Sequence, residues 1–402
     1  MEILYDNCIP NVYKELENLF SKEEWKKKYI VLFGMNAPSE IEMEYFYENN
    51  IPVQGFVDNN KDKWGFEYLG CKVYSPDELL GEYKENAFII IASRAFYAMK
   101  KQLLEMGYNE SQIYALKSFG LESVTPFSKE ENYEYQIMDL KDIQQESLEI
   151  MKYIREFCDA RGIRYFLAFG SLIGAVRHDG FIPWDDDIDV LMPWEDYLRF
   201  CNEFSDTEKY ELFSKHRKEP KYEICNITFA KIISKNTVTE VFNFPLHTRR
   251  CVGVDIFPMN GYPDDEQERK MYELELKNLY MIWNRDVTRR IGSDSFKMTA
   301  YNEMWEKLEE AMTRYDYNSS NYVGSVAIDP DNHSVAPKDR YEEPSKIMFE
   351  GEMFDAPQDV DYVLRSTFGE YMTLPPEEER NPRHFFHTYR LIEKNIGRKD
   401  DK

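Results

Sequence analysis

Short apolar runs alternate with stretches of helical periodicity over the first 120 residues. The run YIVLFG at 29–34 ends in a glycine and leads into apolar positions at helical spacing over 39–50, opened by Ser39 after Pro38. The runs VQGFVD at 53–58 and AFIIIAS at 87–93 repeat the strand pattern, and the latter precedes a helical stretch, 94–107, closed by Gly107. Strand-helix alternation predicts a small parallel α/β sheet, assigned to residues 1–122. Residues 123–138 are mostly polar without apolar periodicity and are expected to be a linker. A long amphipathic helix follows from about Asp139 to Ala160, with Leu140, Ile143, Ile150, Ile154 and Phe157 on one face and Gly162 at its end. Then come a strand at 163–169, a helix opening at Gly170–Ser171, strands around 187–191 and 251–261, and two helices within 264–315. The second domain is placed at 139–392, and the tail 393–402 is expected to fray.

Charge narrows the function classes. The 74 acidic and 50 basic side chains leave a net charge of −24, which repels nucleic acid. No apolar run is long enough to span a membrane, and acids stand in the N-terminal segment where a signal peptide needs a basic start, so a cytoplasmic location is expected. Six cysteines without CxxC spacing suggest neither zinc nor a disulfide framework. Aromatic residues make up 15% of the chain, enough to supply stacking surfaces as well as core.

The first strand runs into FGMNAPSE, and Asp58 ends the second, which invites a dinucleotide reading. Two of the three glycines of G-x-G-x-x-G are missing, because Asn36 and Ser39 stand in that turn. The segment VQGFVDNNKDKWGFEYLGCKVYSPDELL nonetheless resembles the Rossmann-like accessory domains of bacterial surface-polysaccharide enzymes, where a structural or docking role competes with nucleotide binding.

The chemistry concentrates further on. Gly170–Ser171 at a helix start offers unpaired N–H groups and a hydroxyl to a phosphate. Asp187 and Asp189 alternate in a strand, so both carboxylates face one side, where a hard cation such as Mg²⁺ or Mn²⁺ relieves their repulsion. Asp255, alone in the apolar run VGVDIF, is expected either to complete that metal site or to take the proton of an acceptor hydroxyl. Arg177, His178, Lys231, Arg249 and Arg250 flank these segments and could bind a diphosphate, with Arg177 and Lys231 favoured for their apolar settings. Trp184 could stack on a base, face a quaternary ammonium or simply pack. His384 and His387 lack a cysteine or carboxylate partner in sequence, which argues against a zinc pair, and Tyr371 and Met372 are pocket wall or core.

Glycine-serine, then Asp-x-Asp, then a later in-strand Asp is the pattern of the nucleotidyltransferase fold. The string FGSLIGAVRHDGFIPWDDDIDVLMPWEDY resembles the signature of the LicD family, which includes fukutin-type proteins. The likeness continues in FAKI at 229–232, VGVDIFPMNGYP at 252–263 and FEGEMFDAPQDVDYVLRSTFGEYMTLPP at 349–376. The expected fold is therefore α/β and α+β, a Rossmann-like parallel domain followed by a nucleotidyltransferase-fold LicD domain with added helices. The resemblance implies that Asp185 joins Asp187, Asp189 and Asp255 at the metal. It also implies transfer of a substituted phosphate, phosphocholine by default, from a CDP-linked donor to a sugar or glycan-precursor acceptor, with peripheral association with membrane glycan-assembly machinery. Ribitol or glycerol phosphate, true nucleotidyl transfer, an inactive scaffold and a nicotinamide-dependent N-terminal domain are the rival readings.

Overall fold

In the computed structural model the chain divides into one unit formed mainly by Tyr5–Pro126 and another formed by Phe127–Val241 and Leu246–Lys402. The structure describes all residues except 1–7, 22, 36, 92–95, 117–130, 220–221, 241–250, 284–286, 288–290, 292–295, 328–333, 377–379, 381–386 and 395–402.

The first unit contains α1 (Cys8–Phe20), β1 (Tyr29–Phe33), α2 (Ala37–Glu48), β2 (Val53–Val57), β3 (Glu67–Tyr68), β4 (Cys71–Tyr74), α3 (Pro76–Glu82), β5 (Ala87–Ile91), α4 (Phe96–Glu105) and β6 (Ile113–Ala115). Its six strands follow the order β3-β4-β2-β1-β5-β6, parallel apart from the β3–β4 pair. The central strands β1 and β5 are almost wholly buried, as expected of parallel strands covered on both faces, and for that reason they read as unbroken apolar runs. The edge strands β3 and β6, and β4 beside β3, have two to four residues each and little apolar pattern, so the sequence reading misses them. Asp58 is engaged within the fold: its carboxylate accepts the Met35 N–H at 2.8 Å and the Asn60 N–H at 2.8 Å, and Lys63 Nζ lies 3.1 Å away. The acid that the sequence offers to a ribose thus holds the β1–α2 turn.

The second unit contains β7 (Tyr133–Met138), α5 (Leu140–Asp159), β8 (Phe166–Leu167), α6 (Phe169–His178), β9 (Ile188–Pro193), α7 (Trp194–Glu203), β10 (Tyr210–Phe213), β11 (Ala230–Ser234), β12 (Thr237–Glu240) and β13 (Gly253–Tyr262). It continues through α8 (Glu266–Ile282), α9 (Met298–Met312), β14 (Tyr322–Ser325), β15 (Ala336–Pro337), α10 (Asp339–Glu342), β16 (Ser345–Phe349), β17 (Glu352–Ala356), α11 (Val360–Phe368) and β18 (His387–Glu393). Strand β13 is the spine: β11 runs antiparallel along one edge, while β9, parallel, and then β14, antiparallel, share the other. Helix α5 starts at a reciprocal cap between Asp139 and Asp142 and buries Ile143, Ile150, Ile154 and Phe157. Ile150, Ile154 and Phe157 join Val190, Ile232 and Ile256 in the main core, while Ile143 packs with Met138 and Val252.

Two sequence expectations need correction. Residues 133–138, expected to be linker, form β7, which pairs antiparallel with β18 from Tyr133↔Glu393 to Met138↔Thr388. Only Met138 of β7 is buried, so nothing local marks the strand, and its partner lies at the far end of the chain. The strand expected at 163–169 is cut to β8, because α6 begins at Phe169, whose φ of 46° turns the backbone sharply into the helix.

Candidate active site

Strand register assembles the site. Asp189 on β9 stands opposite Asp255 on β13, and Asp255 stands opposite Lys231 on β11. Laterally paired residues project to the same face, so one row across three strands carries two carboxylates and an ammonium. Lys231 Nζ lies 2.7 Å from Asp255 Oδ1. A Cβ on Gly253, diagonally beside Lys231, would come within 2.8 Å of its Cε and 2.5 Å of the Ile232 carbonyl oxygen, so only glycine leaves room for the lysine to lie back across β13.

Asp187 leads into β9 two residues before Asp189. Carboxylate oxygens of Asp187, Asp189 and Asp255 all lie within 4.8 Å of one another. A second set, equally close, comprises Asp185, Asp186 and Asp187, so Asp187 belongs to both. Asp185 therefore groups with its sequence neighbours and not with Asp189 and Asp255. Asp186, fully buried, is a member that the alternating pattern does not reveal.

Electrostatics mark the first set as strained. The Asp189 carboxyl is held well above its usual 3.8, first by desolvation, then by the charges of Asp187, Asp255 and Asp185, against which Lys231 acts in the opposite direction. Among the described residues, three convergent carboxylates with Lys231 beside Asp255 form an oxygen donor set of the kind that a hard divalent cation fills. On that ground Asp187, Asp189 and Asp255 fit a metal ion.

The support around them is specific. Ser171 Oγ accepts the Asp189 backbone N–H at 2.8 Å and thereby ties α6 to β9. A Cβ on Gly170 would lie 2.7 Å from Asp185 Oδ2, so the first turn of α6, expected to meet a phosphate, packs against the Asp185 carboxylate. Gln144 on α5 donates to the Asp185 carbonyl at 2.8 Å. At the tip of the β16–β17 hairpin, Glu350 accepts the Phe181 N–H at 3.0 Å, and its own N–H donates to the Asp179 carbonyl at 2.9 Å. Sequence reasoning misses Gln144 and Glu350, since both act across long separations.

The remaining expected residues lie around Trp184. Arg177 donates to the Tyr371 carbonyl at 2.7 Å and to His178 Nε2 at 2.9 Å. The Trp184 ring meets His178 edge-on with centroids 6.5 Å apart, and the Arg380 guanidinium lies over it at 5.6 Å. Tyr371 is buried and Met372 half exposed, at 49%. Arg249, Arg250 and His384 fall outside the described residues, as does the side chain of His387.

Residues 162–288 match the family described as "LicD/FKTN/FKRP, nucleotidyltransferase domain", and residues 26–114 match "C2185-like, N-terminal". Lipopolysaccharide cholinephosphotransferase LicD of Haemophilus influenzae is 28% identical over 267 residues, covering 63% of this chain and 99% of that protein. Ribitol 5-phosphate transferase FKRP of Homo sapiens is 46% identical over 48 residues, 12% of this chain and 10% of that one. An uncharacterized protein of Rickettsia prowazekii, RP689, is 27% identical over 116 residues, 29% of this chain and 40% of that one. Asp187, Asp189, Asp255 and Lys231 all fall within the first match, and the chain thus carries a LicD-family domain behind a C2185-like N-terminal region.

Proposed function

We propose that this chain is a metal-dependent phosphotransferase that moves a substituted phosphate, phosphocholine in the first instance, from a CDP-linked donor to a hydroxyl of a glycan or its lipid-linked precursor. The observation that carries the reading is the row Asp189–Asp255–Lys231 with Asp187 beside it, within a domain similar to a cholinephosphotransferase over nearly that enzyme's whole length.

Asp187 and Asp189, with Asp255, would hold Mg²⁺ or Mn²⁺, and Asp185 groups with Asp187 beside them. When bound, such a cation neutralises charge on the phosphoryl oxygens of the donor. The acceptor oxygen forms its bond to the donor's distal phosphorus as the bond from that phosphorus to the anhydride oxygen breaks, and CMP leaves with that oxygen. The hydroxyl proton would go to a carboxylate at the site, and Asp255, ion-paired with Lys231, is the candidate if it takes that role instead of holding the cation. No helix among the described residues is long and apolar enough to cross a membrane, so a lipid-linked acceptor would be met at a membrane surface.

The test is release of CMP from CDP-choline, CDP-ribitol and CDP-glycerol with Mg²⁺ or Mn²⁺ and a glycan acceptor. Turnover should stop in excess chelator and return with metal, and Asp255→Asn should lower the rate by about 10²–10⁴ if the carboxylate takes the proton. Pyrophosphate release from CTP with no CMP release from any CDP donor would replace this reading with nucleotidyl transfer. Inertness in every arm would leave the scaffold reading.

A further inference from the structure

Arg177 and Arg380 lie close enough for their charges to interact. Arg177, in the last turn of α6, is half-buried, and its pKa is lowered by desolvation first and by the Arg380 charge second. Among the described residues neither guanidinium is ion-paired with a carboxylate: Arg177 is bonded to His178 Nε2 and the Tyr371 carbonyl, Arg380 to the Pro375 carbonyl at 2.9 Å. Most other described arginines, among them Arg155, Arg164, Arg217, Arg314, Arg365 and Arg390, close on an acidic side chain, whereas Arg269, like this pair, bonds carbonyls. Two neighbouring, partly desolvated cations repel each other, and an anion between them turns that repulsion into attraction.

The surroundings place the pair at Trp184, the residue next in sequence to Asp185. His178 is kept neutral, its pKa below the usual 6.5 through burial and then the charge of Arg177, so its Nε2 lone pair accepts from Arg177 Nε and fixes the plane of the guanidinium. Arg380 lies over the ring of Trp184, whose chain continues directly into Asp185. A trimethylammonium group could not share the ring face that Arg380 occupies.

We propose that Arg177 and Arg380 form a phosphate-binding clamp beside the aspartate cluster, and that its ligand is the diphosphate of the nucleotide donor. The identity of the ligand rests on the phosphotransfer reading above; the clamp itself does not. Arg380 lies outside the matched segment 162–288, so nothing in that match assigns it.

The experiment is calorimetric titration of the full chain with inorganic pyrophosphate in EDTA, which removes metal bridging. Wild type should bind, and Arg380→Gln and Arg177→Gln should each bind about tenfold to a hundredfold more weakly, the usual loss of a charge-assisted pair of bonds. Arg380→Gln should keep the wild-type unfolding temperature, because its hydrogen bond in the fold is to a single carbonyl. No pyrophosphate binding by wild type at millimolar concentration, or wild-type affinity in both variants, overturns the clamp. Displacement of pyrophosphate by CDP but not by cytidine supports the donor as ligand, whereas displacement only by a sugar phosphate overturns that assignment and gives the clamp to an anionic acceptor. Because the readout needs no turnover, intact pyrophosphate binding with no CMP release would sink the phosphotransfer reading and leave the clamp standing.

Discussion

Replacing Asp189 by Asn should stabilise the metal-free protein and destabilise the metal-loaded one relative to wild type. The carboxylate oxygens of Asp187, Asp189 and Asp255 lie within 4.8 Å, at which distance an effective dielectric constant of about 20 gives about 3.5 kcal/mol of repulsion per ionised pair. Lys231 at 2.7 Å from Asp255 offsets one such pair, so relief of the order of one pair, about 3 kcal/mol, is expected when the Asp189 charge is removed. In EDTA at pH 8 this should raise the unfolding temperature of the second unit by about 5–10 °C. The sign with pH follows from the shift. The folded-state pKa of Asp189 is raised above 3.8, so the folded protein holds that proton more tightly than the unfolded chain does. The penalty is therefore absent below pH 3.8 and grows as the pH rises through the folded-state value, and the advantage of the Asn variant should grow with it. With Mg²⁺ at a hundred times its dissociation constant, wild type should gain about 2.7 kcal/mol, while the variant gains much less and the order reverses. Calorimetric scans of both proteins at several pH values, with EDTA and with Mg²⁺, read all of this. A variant less stable than wild type in EDTA at pH 8, or one with an equal Mg²⁺-induced gain, would refute the account of the cluster as a cation-deficient donor set.

Two further outcomes are expected. His216 is buried among Trp194, Tyr197 and Trp305, with Nδ1 3.0 Å from the Tyr197 hydroxyl, and burial lowers its pKa from 6.5 to about 4. Between those values the unfolded chain takes up the proton first, so stability present above pH 6.5 is lost as the pH falls toward 4. His216→Gln should lose about 2–3 kcal/mol less than wild type between pH 7 and pH 4.5 in urea titrations, and parallel losses would remove His216 from the acid response. Glu350→Ala deletes the acceptor of the Phe181 N–H, which should cost about 1–3 kcal/mol and loosen the loop that carries Trp184 and Asp185. Its Mg²⁺ affinity should fall in the same titration that leaves a Glu343→Ala control unchanged, and wild-type affinity would show that the loop is held without the hairpin.

Local pattern was enough for the elements whose burial is uniform along the chain. Strands β1 and β5 read as apolar runs because parallel neighbours and covering helices leave them no wet face, and α5 was legible from its apolar stripe and the Asp139 cap. Asp187 and Asp189 could be paired from the two-residue strand period, and the dense string from Phe169 to Tyr197 carried the family likeness. Other features came only with the tertiary structure. Strand β7 exists because β18 returns to it, and its own residues, nearly all exposed or half exposed, carry no sign of that. That Lys231 meets Asp255, and Asp255 meets Asp189, is a matter of register among three strands with loops and helices between them; a slip of one residue would turn Asp189 away in the β9 pairing and Lys231 away in the β11 pairing. Gln144, Glu350 and Arg380 likewise acquire their places from neighbours remote in sequence. Side-chain type and spacing decide what a strand or helix presents on each face, whereas the sum of packing over the whole core decides which faces meet, and the chemistry of this site depends on that meeting.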